Sequence, residues 1–330
     1  MTGGPDAVPT TGDPDAGSTT GGPGAGSTTG DLCAVVLAAG AGTRLRPLTA
    51  LRPKALCPVG NQPILDRVLS LVAGLGLAGP RQVAVNACWL GGQIADHLAV
   101  DGAAGTPADH AGGGPAGAGG ARPAATERAY VSRESAPLGT AGGVANLRDW
   151  IAGRPVLVGN ADAYLAGSGL AALLDGWDRQ RVRLLGVPAP PGLVDAFGAD
   201  RFAGFSLLPW HWVCRLADGP GELVTAVWRP AEAAGALEVI RHRGRFIDIG
   251  TPGGYLAANR HAAATVEPDG GSLIAGDAVV TGDCRQSVVG SRARVHGHLT
   301  RSVVWPDGRV AADEHLVDAV RVGSALTVRA

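Results

Sequence analysis

Lysine is all but missing from this chain: of 28 basic side chains in 330 residues, Lys54 is the one lysine and the rest are arginine. A bias this strong makes the position where lysine persists a candidate for a role that arginine does not fill. An excess of one charge is missing too. The formal net charge is −1 at pH 7, which gives no bulk attraction to nucleic acid or to an anionic membrane, so any recognition of phosphate must be local. No apolar run approaches the ~20 residues of a membrane span. The first thirty residues have neither the basic start nor the apolar stretch of a signal peptide. The five cysteines (Cys33, Cys57, Cys88, Cys214 and Cys284) are scattered and form no CxxC pair. That argues against a disulfide framework and against a zinc site. It points to a reducing, cytoplasmic setting in which all five thiols serve as small buried apolar groups.

Residues 1–30 hold Gly, Thr, Pro, Ser and Asp with almost nothing to bury, the composition of a disordered tail. From Leu32 onward, short apolar runs alternate with helical periodicities. Strands are expected at 33–39, Val83–Ala87, 129–132, 155–158 and 182–187, and helices at 63–76, 92–99, 141–151 and 170–177. The Gly/Ala/Pro-rich stretch 101–126 reads as a flexible loop. Alternation of this kind predicts a doubly wound, Rossmann-like α/β sheet over 31–265, with its active site at the carboxyl ends of the strands. After about residue 265 the pattern changes. Ser287-Val-Val, Ser302-Val-Val and Asp318-Ala-Val recur between turn residues, the signature of solenoid coils. Residues 266–330 are therefore expected to form a small parallel β-helix.

The densest signal is Leu37-Ala-Ala-Gly-Ala-Gly-Thr-Arg-Leu-Arg-Pro-Leu-Thr, followed by Arg52-Pro-Lys-Ala-Leu-Cys-Pro-Val-Gly-Asn-Gln-Pro. A glycine loop after a strand presents backbone N–H groups to an anion and lets a phosphate approach closely. The P-loop pattern GxxxxGK[ST] is absent. The dinucleotide fingerprint fails as well: it needs a third glycine, a helix opening at once and an acid about twenty residues on, where this chain has Val59-Gly60-Asn61.

Taken whole, the string resembles the signature of the sugar-1-phosphate nucleotidylyltransferases. Three further segments resemble that family in its order: Pro137-Leu-Gly-Thr-Ala-Gly, Val158-Gly-Asn-Ala-Asp162 (Ala161 standing for glycine) and Phe246-Ile-Asp248-Ile-Gly-Thr-Pro (Phe246 standing for tryptophan). A solenoid tail is also common there, and residues 266–330 resemble the left-handed hexapeptide β-helix.

The resemblance implies an enzyme of the 2.7.7 class that transfers a nucleoside monophosphate from an NTP to a sugar-1-phosphate and releases pyrophosphate. It implies Mg²⁺ held by Asp162 and Asp248, with Arg44 and Lys54 as catalytic cations. Leu37, Ala38, Ala39, Gly40, Gly42, Thr43, Glu134, Gly139 and Thr140 would bind the nucleotide, Glu134 by reading the base edge. Asn160 and Gly204 would touch the sugar substrate. The reaction needs charge neutralisation and alignment more than covalent help. A phosphate monoester is already anionic near its second pKa of about 6, so no general base is required. The partners implied are these small molecules and further copies of the chain in a homo-oligomer, with neither nucleic acid nor membrane.

Alternative readings stand beside several residues. Asp162 also suits a turn after a strand, and Glu134 suits a surface ion pair. Arg46 and Arg52 read as solvated surface charges. His296 and His298 suit a solvent-facing turn, and the Trp210-His-Trp212 cluster suits packing. Departures from the family matter for the substrate. No lysine follows Lys54, and the expected Asn-Ala-Gly reads Phe202-Ala-Gly204. The Pro137-Leu-Gly-Thr segment and the solenoid resemble mannose-1-phosphate guanylyltransferases, which favours GTP with mannose-1-phosphate or a related sugar. The compact middle and Val85-Asn-Ala-Cys-Trp-Leu-Gly-Gly resemble N-acetylmuramate-1-phosphate uridylyltransferases. A catalytically silent, nucleotide-sugar-binding regulatory relative is a third reading, and a nicotinamide-dependent oxidoreductase a fourth. Loss of the tail beyond residue 265 is expected to disturb assembly or solubility more than chemistry.

Overall fold

The computed structural model describes residue 1 and residues 31–99, 128–167, 169–267 and 271–330. The rest of the expected N-terminal tail and the whole 101–126 loop lie outside the described residues. The elements that build the main sheet and its cover are, in chain order, β1 (Cys33–Leu37), α1 (Ile64–Ala73), β2 (Val83–Ala87), α2 (Gly91–Ala99), β3 (Tyr130–Arg133), α3 (Gly139–Ala145), β4 (Val156–Asn160), β5 (Ala163–Gly167), β6 (Val182–Pro188), β7 (Asp200–Leu208), β8 (Leu237–Arg241), β9 (Gly244–Asp248) and α4 (Pro252–Val266).

Strand β1 shows why its run is continuously apolar. Ala34 and Val36 join a core cluster with Ile64, Leu65, Val68, Leu69 and Val72 of α1, while Cys33 and Val35 join another with Ala141, Val144 and Ala145 of α3. Helices on both faces leave the strand no side for water, so alternation disappears. In α1 the buried residues recur at helical spacing, the stripe expected of a helix laid on a sheet.

The seven-stranded sheet has the order β8-β6-β7-β4-β1-β2-β3. β1 runs parallel to β2 and β4, pairing Ala34 with Val83 and Cys33 with Val156. The sheet is mixed: β7 is antiparallel to both β4 and β6. For β6 and β7 the reason is their link, 189–199, which contains no helix, and consecutive strands joined without a crossover helix pair antiparallel.

Two expected helices are corrected. The 141–151 helix is two short ones, α3 and Arg148–Ile151, interrupted at Asn146 and Leu147; the Asn146 amide donates to Ser132 Oγ at 3.1 Å, and Leu147 drops into the core. The 170–177 helix is only a 3₁₀ turn at Ala171–Leu173. Leu170 and Leu173 are its two fully buried anchors, too few to hold several helical turns.

Beyond α4, strands of two to four residues form three parallel ladders. Leu273, Val288 and Val303 are register partners in one ladder, Val279, Arg294 and Arg309 in the next, and Cys284, Leu299 and Leu316 in the third. Their interior holds Val289, Val295, Leu299, Val304, Val310 and Leu316. Two buried hydroxyls bond between successive levels, the Ser302 amide donating to Ser287 Oγ and the Ala319 amide to Ser302 Oγ. The chain ends in an antiparallel hairpin of Ala319–Val322 with Leu326–Arg329. Val288, Val303, Trp305 and Val320 share one core cluster with Tyr255, Leu256 and Ala258 of α4 and with α1, so apolar packing is continuous from the sheet into the ladders.

Candidate active site

The glycine loop follows β1 directly. Gly42 adopts φ +58°, a left-handed conformation that a side chain disfavours. A Cβ there would also stand 2.8 Å from Thr49 Cγ2. Thr49 fixes the bend, its hydroxyl donating to the Gly42 carbonyl at 2.8 Å. Gly40 differs: a Cβ built on it meets nothing within 4 Å. Its bare backbone therefore faces open space, which suits a bulky anion. Upstream, the Ala38 amide donates to Asn86 Oδ1 at 2.7 Å.

The four charged residues singled out in the sequence converge here as two cation–carboxylate pairs. Lys54 Nζ lies 3.3 Å from Asp162 Oδ2, and an Arg44 guanidinium nitrogen lies 3.9 Å from Asp248 Oδ2. Asp162 follows β4, and Asp248 ends β9. The antiparallel pairing of β5 with β9 sets Asp248 opposite Ala163, so both aspartates stand at one end of the hairpin. The Gly250 amide donates to Asp248 Oδ1 at 2.7 Å and holds that carboxylate. The lysine is 8 % exposed, whereas the Arg44 side chain is 68 % exposed. Lys54 is thus a buried cation in the wall, and Arg44 an exposed one at the rim.

Opposite lies the turn into α3. Gly139 has φ +70°, and a Cβ there would press on the Gly221 carbonyl oxygen at 2.5 Å. Thr140 is clamped by Glu222, its hydroxyl and amide both donating to Glu222 Oε2, at 2.6 and 3.3 Å. The Leu223 amide donates in turn to the Thr140 hydroxyl at 2.7 Å.

Between the two walls is a cleft of about 360 Å³. Of the residues singled out in the sequence, Leu37, Ala38, Ala39, Gly40, Gly42, Thr43, Arg44, Lys54, Gly139, Thr140, Asn160 and Asp162 line it. Asp248 stands at its edge beside Arg44 and Gly250.

Glu134 and Gly204 are placed elsewhere. Glu134, 9 % exposed, accepts the Asn86 amide at 2.7 Å and the Leu138 backbone amide at 3.3 Å. Both oxygens are engaged behind the wall, and Asn86 is the residue that reaches the cleft. Gly204 lies buried within β7 at φ +87°, a backbone conformation that favours glycine.

Sequence reasoning missed Asn86, Glu222 and Gly250 as cleft residues. Asn86 carried a signal: it is one polar residue in a strand buried along its whole length, and buried polar groups are there to bond. Glu222, in an irregular glycine-rich stretch, carried none.

Arg46 is exposed, as a surface charge would be, and its guanidinium lies 5.6 Å from the Trp89 ring centre; Arg52 is half-buried, 5.0 Å from that of Trp305. His296 bonds Thr281 and His298 pairs with Asp283 on the outer ladder face; Trp210 and Trp212 pack against the core. Cys33 and Cys57 are buried, and burial pushes each thiol up to about 12. Cys214 is exposed and Cys88 and Cys284 half-buried, so burial holds for two of the five. Among the described residues no group of three or more His, Cys, Asp or Glu side chains is placed to hold a metal, and no helix is long and apolar enough to cross a membrane.

A family model described as nucleotidyl transferase matches residues 33–178. The N-acetylmuramate alpha-1-phosphate uridylyltransferase of Neisseria meningitidis is 36 % identical over 129 residues, 39 % of this chain and 46 % of that protein. The uridylyltransferase of the same description from Caulobacter vibrioides is 27 % identical over 256 residues, 70 % of this chain and 96 % of that protein. The mannose-1-phosphate guanylyltransferase of Mycobacterium tuberculosis is 32 % identical over 178 residues, 52 % of this chain and 43 % of that protein. The first and third matches thus span less than half of those proteins. Among solved structures, a UDP-glucose pyrophosphorylase from Acinetobacter baumanii superposes with a TM-score of 0.55 at 16 % identity, over 71 % of this chain and 93 % of that one, a likeness of fold.

Proposed function

We propose, from the premise that residues 33–178 belong to the nucleotidyl transferase family, that this chain transfers a nucleoside monophosphate from an NTP to a sugar-1-phosphate. The observation that carries the reading is the pair of cation–carboxylate contacts, Lys54 with Asp162 and Arg44 with Asp248, at the open end of the glycine loop. A sugar-phosphate oxygen attacks the α-phosphorus, the bond from α-phosphorus to the bridging oxygen breaks, and pyrophosphate leaves with that electron pair. Lys54 neutralises phosphate oxygens from a fixed place in the wall. Arg44, at the rim, follows the departing pyrophosphate by charge-assisted hydrogen bonds. The backbone around Gly40 lets the triphosphate lie against β1.

Asp162 and Asp248 fit a Mg²⁺ site. Both side chains are half-exposed at one hairpin end, and two carboxylates completed by substrate phosphate and water suit this ion. Bound there, Mg²⁺ would neutralise and orient phosphate oxygens. We read the three C-terminal ladders as a small β-helix, with the boundary near residue 265.

For base and sugar, the first reading is GTP with mannose-1-phosphate or a related sugar, supported by the mycobacterial relative and by the Pro137-Leu-Gly-Thr segment. UTP with N-acetylmuramate-1-phosphate is favoured by one observation: Glu134, the carboxylate offered to guanine's N–H donors, is engaged by Asn86 and Leu138. The Caulobacter relative, matched over 96 % of its length, supports it as well. The test is pyrophosphate release from purified protein with Mg²⁺, each NTP and a panel of sugar-1-phosphates. Turnover with one pair establishes reaction, base and sugar together. Nucleotide-sugar binding with no turnover across the panel replaces this reading with the silent regulatory relative.

A further inference from the structure

The loop that carries Lys54 is held from outside the sheet. It runs from Arg52 through the 3₁₀ turn Lys54–Leu56 to Asn61, and later parts of the chain grip it at four places. Tyr255, in α4 and 0 % exposed, donates its hydroxyl hydrogen to the Pro58 carbonyl. That hydroxyl accepts the indole N–H of Trp305 at 2.9 Å. The Trp305 ring lies under the Arg52 guanidinium, 5.0 Å away. Asn259, one turn along α4 and fully buried, accepts the Gly60 amide at 2.9 Å, and Asn61 donates to the Val289 carbonyl at 2.9 Å. Trp305 and Val289 belong to the ladder region, Tyr255 and Asn259 to the helix that begins four residues after Asp248.

We propose that Tyr255 and Trp305 are positioning residues: their hydrogen-bonded pair braces the loop on either side of Lys54, at the Pro58 carbonyl and at the Arg52 side chain, so the C-terminal strands set where the lysine stands in the cleft. The sequence suggested a tail devoted to assembly; the geometry gives it a part in the chemistry. The pair suits the task. Burial keeps the Tyr255 phenol above its ordinary range, with Cys57 adding to the effect, so the hydroxyl stays a neutral donor. The indole is a donor only, and Trp305 is 2 % exposed, so its N–H has no water to turn to. Each polar atom is satisfied by the next, and removing one leaves another buried without a partner.

The role in catalysis rests on the reading of Lys54 given above. The place of the lysine does not, and it is measurable without turnover, because Lys54 is the single lysine of the chain. An amine-directed N-hydroxysuccinimide ester therefore has two targets, Lys54 and the α-amino group, which peptide mass spectrometry resolves. In the full chain, Trp305→Phe removes the N–H and keeps a ring, and Tyr255→Phe removes only the hydroxyl. Arg292→Gln, which breaks the ion pair with Asp307 on the outer ladder face, is the control for general loosening.

In both aromatic variants the acylation rate of Lys54 is expected to rise at least about threefold through local opening of the loop, with the α-amino rate unchanged. kcat is expected to fall about tenfold through misplacement of the cation, with KM for the NTP moving much less. Arg292→Gln moves neither. Wild-type Lys54 acylation in both folded aromatic variants overturns the proposal, as does an equal rise in Arg292→Gln. Should the protein turn over no substrate at all, the acylation rates still decide whether the brace exists.

Discussion

Lys54 Nζ stands 3.3 Å from Asp162 Oδ2, although 108 positions separate the two in the chain. The lysine arrives on the loop that Tyr255 and Trp305 contact and the aspartate just beyond the end of a central strand. The contact therefore joins two walls of the cleft, and the half-exposed carboxylate keeps lone pairs open to a cation.

Asp162→Asn and Asp248→Asn are each expected to lower turnover at least about a hundredfold, since each removes a charge from the proposed metal clamp. Melting temperatures should stay close to wild type, because both side chains are half-exposed. Pyrophosphate release and a thermal melt check the pair. Near-normal rates in either variant remove that residue from the metal site.

Lys54→Arg keeps the charge and is nevertheless expected to lose about a hundredfold in kcat/KM. A planar guanidinium needs a wider pocket than a wall position with 8 % exposure gives it. A fully active Lys54→Arg enzyme refutes the argument that this site requires a compact cation.

Glu134→Ala is expected to destabilise the fold by about 1–3 kcal/mol, because it strips a bonded partner from buried Asn86. It should also raise KM for the nucleotide, since Asn86 then no longer holds the Ala38 amide in place. Denaturant melts and NTP saturation curves measure both. Unchanged stability shows that water replaces the carboxylate at no cost.

Gly42→Ala is expected to cost about 1–2 kcal/mol from its left-handed backbone, with more from the approach of Thr49 Cγ2. Gly40→Ala should leave stability nearly unchanged, because nothing of the protein stands in the way, and should weaken NTP binding instead. The two variants separate a glycine needed by the chain from one needed by its ligand. A stability loss at Gly40 matching that at Gly42 breaks the distinction.

Cys33 and Cys57 carry a pH prediction. Burial raises both thiols from 9.0 to about 12, so the folded state binds these protons more tightly than the unfolded chain does. Their contribution is complete below pH 9 and drains away as the pH climbs toward 12. The melting temperature should fall through that window, and Cys57→Ala should flatten part of the fall. Under native conditions a thiol reagent should find Cys214 first. Early modification of Cys57 contradicts its burial.

The sequence displayed β1, its glycine loop and α1 because each obeys one local rule: a doubly buried run, a strand-to-loop phosphate cradle, an amphipathic stripe. It also displayed the pairs that became the ladders, since a repeating valine pair leaves a visible period. β7 did not show its direction, because strand polarity is decided by the length of the connection and by which neighbour is open, neither of which a residue pattern encodes. The cleft divides along the same line. Arg44, Lys54, Asp162 and Asp248 stood out through family likeness, and twelve of the residues singled out line the cavity. Glu134's place behind the wall and Glu222's place in it were not legible, because a carboxylate's orientation depends on which distant amides face it. The brace was invisible for the same reason: Tyr255 and Pro58 lie 197 positions apart.

The order of the main sheet bears on how the chain is made. β1 emerges first, yet its two neighbours are Val83–Ala87 and Val156–Asn160, and the hairpin that presents Asp248 closes later still. A nascent chain halted on the ribosome before Val156 carries an apolar strand with one edge bare, the kind of surface that recruits other chains. β4 closes that edge but leaves its own far edge open until Asp200–Leu208 is made, so slowed translation before residue 208 should lower soluble yield more than slowed translation within the ladders.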